Sequence, residues 1–487
     1  MYPYNSYINQ NYYNSAYPAQ AYNAEPTEAV QNKVNAKIKR LNNLKQDMRE
    51  IPYNPTFSAS DLRTQLTSNE EKNKYNVIQQ NLDKKSRKGL ESLLKSGILL
   101  NNNSADNSSV LDNLYKILTE QRAEGLDKIS LAKDLIETLN NPYNITQQFG
   151  DIPSEKQNEV VQEYMYSQNT TTTDPNMRTV AYKDINVTHS GTCVAASIEF
   201  NLAQNHPAEF ARFSEGLTSP NNRVEKVIHL DKLADNSLDA IWLLNAFEIP
   251  YKDYNFKTAT LTFKPDESAL TRAKIQTKYK DPGERTPLDV LMQSTFMQIG
   301  SQQSYNSLSD KRKGKFNQND KGLIEFEKTF VESVVEDKNK ISMTYQNVDE
   351  NARLVGYETD MDTLKRHITQ TIDMGENVIL GYTQTDSNNV IINGHEITVV
   401  GYKINPKTNK MTFICNDTDD NESRPIEYTE DYLLPKVHHA ALPQSVIKDD
   451  IKLVENWVEG LNSYRENKKQ QQVQQENEPK PPLNTMA

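Results

Sequence analysis

Cys193 and His395 are the residues whose surroundings could support chemistry. The cysteine stands in Ser190-Gly191-Thr192-Cys193-Val194-Ala195-Ala196-Ser197-Ile198-Glu199-Phe200, where small residues precede it and a helical pattern follows through Leu202. This spacing predicts a helix that starts at the sulfur. Free N–H groups and the helix dipole at such a terminus favour thiolate over thiol. Cys193's own N–H can face an oxyanion, and Gly191 leaves space for a substrate backbone. The histidine stands in Asn393-Gly394-His395-Glu396-Ile397-Thr398-Val399-Val400-Gly401-Tyr402, a strand with the imidazole at its entry. A polar turn, Asn405 to Asn409, leads to a second strand, Met411 to Cys415, which ends in Asn416-Asp417. Such a hairpin returns the end of its second strand to the start of its first. An amide or carboxylate there can orient the imidazole, and strand alternation lets only one of Asn416 and Asp417 do so. The chemistry implied is thiolate attack assisted by a histidine base.

These blocks resemble the papain-like cysteine peptidases, especially bacterial branches such as the staphopains and the bacteriocin-leader-processing peptidases. Gly-Thr-Cys before a small-residue helix is similar to their nucleophile segment. The Gly-His strand, with a strand ending in Asn or Asp after it, is similar to the second half of their fold. Upstream, Leu364, Ile368 and Ile372 form a helix face, Gly375 ends it, and Val378-Ile379-Leu380-Gly381-Tyr382 is a strand. The resemblance implies an α+β papain-like fold, with a helical lobe carrying the cysteine and an antiparallel β lobe carrying the histidine and Asn/Asp. It implies hydrolysis of a peptide or protein substrate through a Cys193 thioester, with His395 as base and acid. The third residue is Asn416 by the papain pattern and Asp417 by the bacterial one. The family's oxyanion glutamine, six residues before the cysteine, is replaced here by Val187. Asn186, Thr188 and His189 are the nearby candidates. Transglutaminases and arylamine acetyltransferases use the same order for acyl transfer, and a non-catalytic papain-like scaffold is a further alternative.

The elements that position these residues occupy part of a long chain. Its 487 residues allow two to four domains, and 36% hydrophobic content with mean hydropathy −0.79 leaves some segments without a core. Residues 1–26, rich in Tyr and Asn, read as a disordered tail. Residues 27–150 read as a helical region, suited to a pro-segment or lid. Its stripes are Val30, Val34, Ile38, Leu41, Leu44 and Met48, then Leu111, Leu114 and Leu118, then Ile129, Ala132, Ile136 and Leu139. Asn101-Asn102-Asn103-Ser104 separates the first stripe from the later two as a loop. Residues 155–445 form the catalytic domain, with an insertion around 250–360. Within it, Ser237 opens a largely buried helix. Thr286-Pro287 opens another, closed by Gly300. Residues 446–465 read as a C-terminal helix and 466–487 as a polar disordered tail.

A net charge of −11 argues against nucleic acid as a partner. Lys311-Arg312-Lys313-Gly314-Lys315 reads as a solvated loop. Two cysteines, Cys193 and Cys415, indicate a reducing compartment, with Cys415 as core. The chain lacks a signal-peptide pattern and an apolar run long enough to span a membrane, so the expected location is cytoplasmic. His229 and His367 read as polar helical positions. His438-His439 are adjacent, so they are expected to point in different directions, and no third ligand follows at metal spacing. No cofactor or metal is therefore expected. Asp419, Asp420, Asn421 and Glu422 read as a solvated turn. Composition leaves the oligomeric state open.

Overall fold

A computed structural model describes residues 49–51, 62–147, 159, 190–234, 237–279, 284–314, 321–349, 351–419 and 423–447. The two terminal tails, the stripe from Val30 to Met48, the oxyanion candidates Asn186, Thr188 and His189, and nearly all of the expected 446–465 helix lie outside them.

The architecture is mixed α+β. Four front helices come first: α1 (Asn69–Asn81), α2 (Lys84–Ser96), α3 (Val110–Thr119) and α4 (Lys128–Asn140). Each starts at a side-chain cap, Ser68, Asp83, Ser109 and Asp127 in turn, which satisfies backbone N–H groups that would otherwise be orphaned. The helices α5 (Cys193–Asn205), α6 (Pro207–Thr218), α7 (Ser237–Ala246), α8 (Ala269–Tyr279), α9 (Pro287–Gly300), α10 (Glu325–Glu336) and α11 (Met361–Asp373) follow. Around α9 the local signals agree. Thr286 and Asp289 form a reciprocal capping box, and Pro287 occupies the first turn, where its missing N–H costs nothing.

The main sheet runs β11 (Ile426–Thr429), β10 (Met411–Asn416), β9 (Ile391–Ile404), β8 (Val378–Thr385), β12 (Val437–Pro443), β5 (Lys340–Thr344), with β1 (Arg49–Ile51) also on β9. Its pairings are antiparallel. A small sheet, β2 (Val224–His229), β4 (Thr258–Phe263), β3 (Tyr251–Lys252), and a ribbon of β6 (Gln346–Val348) with β7 (Leu354–Tyr357) complete it. Among the described residues no helix is long and apolar enough to cross a membrane.

Two cores hold these layers. One joins α1 to α4 with α5, α6, α9 and α10, and reaches the sheet at Ile379, Val400 and Ile414. The other lies on the opposite sheet face, where Leu364, Ile368 and Ile372 of α11 meet Leu380, Ile397, Val399, Phe413 and Cys415. The front helices therefore share one continuous apolar cluster with the helix that carries Cys193. Residues 250–360 are not set apart either. They supply α9, buried along its whole length, together with α10 and β5.

Several local expectations fail where tertiary packing overrides composition. Helix α7 is only partly buried, with Leu238 at 72% exposure. His229 ends strand β2 and pairs with Asp337, whereas His367 does lie on a helix, α11, but is buried against the Tyr345 hydroxyl. Within the basic run, Arg312 is not solvated. Its guanidinium is buried in a bidentate pair with Glu327 and also donates to the Gly322 carbonyl. Arg312→Met is therefore expected to cost about 3–5 kcal/mol, because it leaves the Glu327 carboxylate buried and uncompensated. Urea unfolding would measure it, and Arg312→Met with Glu327→Met should recover most of the loss.

Candidate functional site

The loop before α5 is held from three directions. Gly191 donates its N–H to Asp310 Oδ2 at 2.7 Å. A Cβ on Gly191 would lie 2.6 Å from Lys321 Cβ, so only glycine fits this close approach. Thr192 donates its hydroxyl to Gln293 Oε1 of α9 at 2.8 Å rather than capping its own helix. Ser190 donates to the Gln147 carbonyl at 2.7 Å. Cys193 then opens the helix, half-buried, at the end where the first-turn N–H groups have no partner within the helix. Both cysteines are free thiols, and Cys415 is buried on β10. The structure thus pairs neither with the other.

His395 sits on β9 opposite Tyr382 of β8, whose ring meets the imidazole edge-on at 5.7 Å. Its Nε2 lies 2.6 Å from Asp417 Oδ1. Asp417 in turn accepts the Tyr428 hydroxyl at 3.0 Å and the Asp419 N–H at 3.0 Å. With Nε2 held there, Nδ1 is the ring nitrogen left for the Cys193 thiol, which interacts with the same imidazole. Asn416 is buried, and its side-chain NH2 meets no acceptor.

A single extra residue separates these two fates. From the turn, β10 pairs with β9 as Met411↔Ile404 through Ile414↔Gly401, then shifts to Cys415↔Val399 and Asn416↔Thr398. Had the first register continued, Asn416 would lie opposite Val399, on the face of His395. The β-bulge moves it opposite Thr398, on the other face, and brings Asp417 round to the imidazole.

Electrostatics follow from this contact. Burial alone would depress the proton affinity of His395. The Asp417 hydrogen bond, then the Cys193 bond and the charges of both partners, outweigh it and hold the imidazole well above the ordinary histidine range. Burial works to raise the Asp417 carboxyl, but the His395 bond and charge win and keep it ionised below its usual range.

Residues the sequence reading did not select also build the site. Gln147 donates its side-chain amide to Asp419 Oδ1 at 2.9 Å and its N–H to the Thr418 carbonyl at 2.9 Å. Its carbonyl holds Ser190, so the segment at 145–147 ties the cysteine loop to the aspartate loop. Nothing local marks Gln147 for this role, because both partners are remote in sequence. Asp419 is engaged with Gln147 rather than solvated alone. Tyr428 supports Asp417 from β11 and stacks on Tyr432 at 5.3 Å.

Comparison of the chain with protein-family models, with curated proteins and with solved structures found no match.

Proposed function

We propose that this chain is a papain-like cysteine peptidase acting on peptide or protein substrates. The observation that supports it is the ordered contact of Cys193, His395 and Asp417, with the thiol at a helix start and the carboxylate behind the imidazole. In this reading the Cys193 thiolate attacks the scissile carbonyl, and the new C–S bond forms as the carbonyl π electrons move to oxygen. The N–H of Cys193 faces that oxyanion. His395 gives its proton to the leaving amine as the C–N bond breaks. It then takes a proton from water, whose oxygen attacks the thioester and releases the acid and the thiolate. Asp417 keeps Nε2 engaged, so the reacting proton stays on the Cys193 side of the ring. Gln147 is a positioning residue that fixes both loops.

Labelling tests the reading. An epoxide thiol-protease inhibitor is expected to add once to the wild type, at Cys193, as read by intact mass and peptide mapping. Cys193→Ala should take none, and His395→Ala should label at least about 100-fold more slowly. No adduct on a folded wild-type chain would sink the peptidase reading and favour a non-catalytic scaffold. Products carrying an added amine would favour acyl transfer instead.

A further inference from the structure

On the other face of β9 a second cluster of titratable groups stands apart from the Cys193 chemistry. His438 and His439 are consecutive on β12, where a regular strand would send them to opposite faces. Instead β12 has a bulge between Val437 and His439 against β8, and the two rings meet at 89° with centroids 5.3 Å apart. Their Nδ1 atoms lie 3.0 Å from each other. Glu325, the first residue of α10, brings Oε1 to 3.2 Å from His438 Nδ1. The three donor atoms all lie within 4.8 Å of one another.

The placement of the ring nitrogens makes this a ligand set. His439 Nε2 lies 2.8 Å from Glu396 Oε1 as an ion-pair contact without hydrogen-bond alignment, and its Nδ1 is the ring nitrogen turned toward His438. Glu396 is itself anchored by Lys328 Nζ at 3.3 Å, and that ammonium also donates to the Ile379 carbonyl. The other Glu325 oxygen accepts the Thr344 hydroxyl. Two imidazole nitrogens and one carboxylate oxygen therefore converge, and a proton on His438 Nδ1 can serve one acceptor at a time. A tetrahedral ion with bonds of about 2.0–2.2 Å sets its ligand atoms about 3.3 Å apart. The 3.0 Å and 3.2 Å separations approach that edge length, and the third pair lies within 4.8 Å. His438 and His439 are 6% and 7% exposed, and Nε2 of each ring is buried without a hydrogen-bond partner. Room for the cluster is kept by Gly381, where a Cβ would lie 2.4 Å from His439 Cε1 and 2.5 Å from Glu396 Oε1.

We propose that Glu325, His438 and His439 bind one divalent transition-metal ion of the zinc type, with Glu396 as the carboxylate behind His439. Imidazole with carboxylate suits this class rather than calcium or magnesium. Three protein ligands leave a fourth position for water, and the ion ties the start of α10 to β12.

The test uses the full chain carrying Cys193→Ala, so that no ion can settle on the Cys193 thiolate. Stripped with chelator and titrated with Co2+ alone, it is expected to take up one ion per chain. The visible bands should be those of tetrahedral cobalt, without a thiolate charge-transfer band, and Zn2+ should displace them. Glu396→Gln should weaken binding about 10- to 100-fold. His438→Gln and Glu325→Gln should each abolish the tetrahedral spectrum, with circular dichroism reporting that the variant is folded. The proposal is overturned if the Cys193→Ala chain takes up no Co2+, a result that needs no further variant. Co2+ uptake that survives in folded His438→Gln also overturns it.

Discussion

Cys193→Ala is expected to lower kcat by about 10⁶ against a peptide substrate that the wild type cleaves, with KM little changed. The methyl group cannot form a thioester, so what remains is whatever the backbone N–H groups and substrate binding provide. Folding should survive. Cys193 is half-buried at the helix start, and the loop before it is held by Gly191, Thr192 and Ser190 rather than by the sulfur. Circular dichroism and thermal melting would show an intact chain, and initial rates would show the loss. His395→Ala should lose about as much, because residues acting as one unit are not additive. The double variant is then expected to be no worse than either single one. A His395→Ala loss below about tenfold would mean that the imidazole is not the base.

What was legible in the sequence was local. The helix starting at Cys193, the capped α9, the Leu364–Ile368–Ile372 face and the β9–β10 hairpin each carry their own signal in spacing, caps or turn residues. What was not legible depends on register and on remote partners. Two one-residue bulges decide which side chains face which site, at Ile414/Cys415 and at Val437/His439. A glycine borders each, Gly401 and Gly381, but a glycine inside a strand does not say whether or where a residue is inserted. Arg312 reads as one more charge in a basic run until Glu327, fifteen residues on, closes over it. Gln147 and Glu325 are similar cases: their roles come from elements that only the fold brings near. Alternation along a strand is a sound rule, but an inserted residue reverses its consequence for everything downstream.

Asp417→Asn is the sharper prediction, because it separates two adjacent residues that the sequence leaves equivalent. The substitution keeps the size of the side chain but replaces the acceptor for His395 Nε2–H with a neutral amide. A loss of about 10⁴ in kcat is expected, by analogy with the same change in a serine triad. Asn416→Ala should leave kcat within about threefold, since the Asn416 side chain faces away from His395 and makes no bond to it. The pH profile gives an independent reading. His395 is held above the ordinary histidine value, with burial opposing and Asp417 and Cys193 prevailing, so the wild-type alkaline limb should lie well above that value. In Asp417→Asn the largest raising contribution is gone while burial remains, and the limb should move to lower pH. Stability follows with a definite sign. The native chain holds the His395 proton more tightly than the unfolded chain. That contribution is fully present below the ordinary histidine pKa of about 6.5 and is lost as pH rises through the raised native value. Urea unfolding of wild type across this window should show stability falling with pH, and Asp417→Asn should flatten the slope. Equal losses of kcat in the two variants would mean that the bulge does not set the register in solution. An unmoved alkaline limb would mean that His395 does not owe its proton to Asp417.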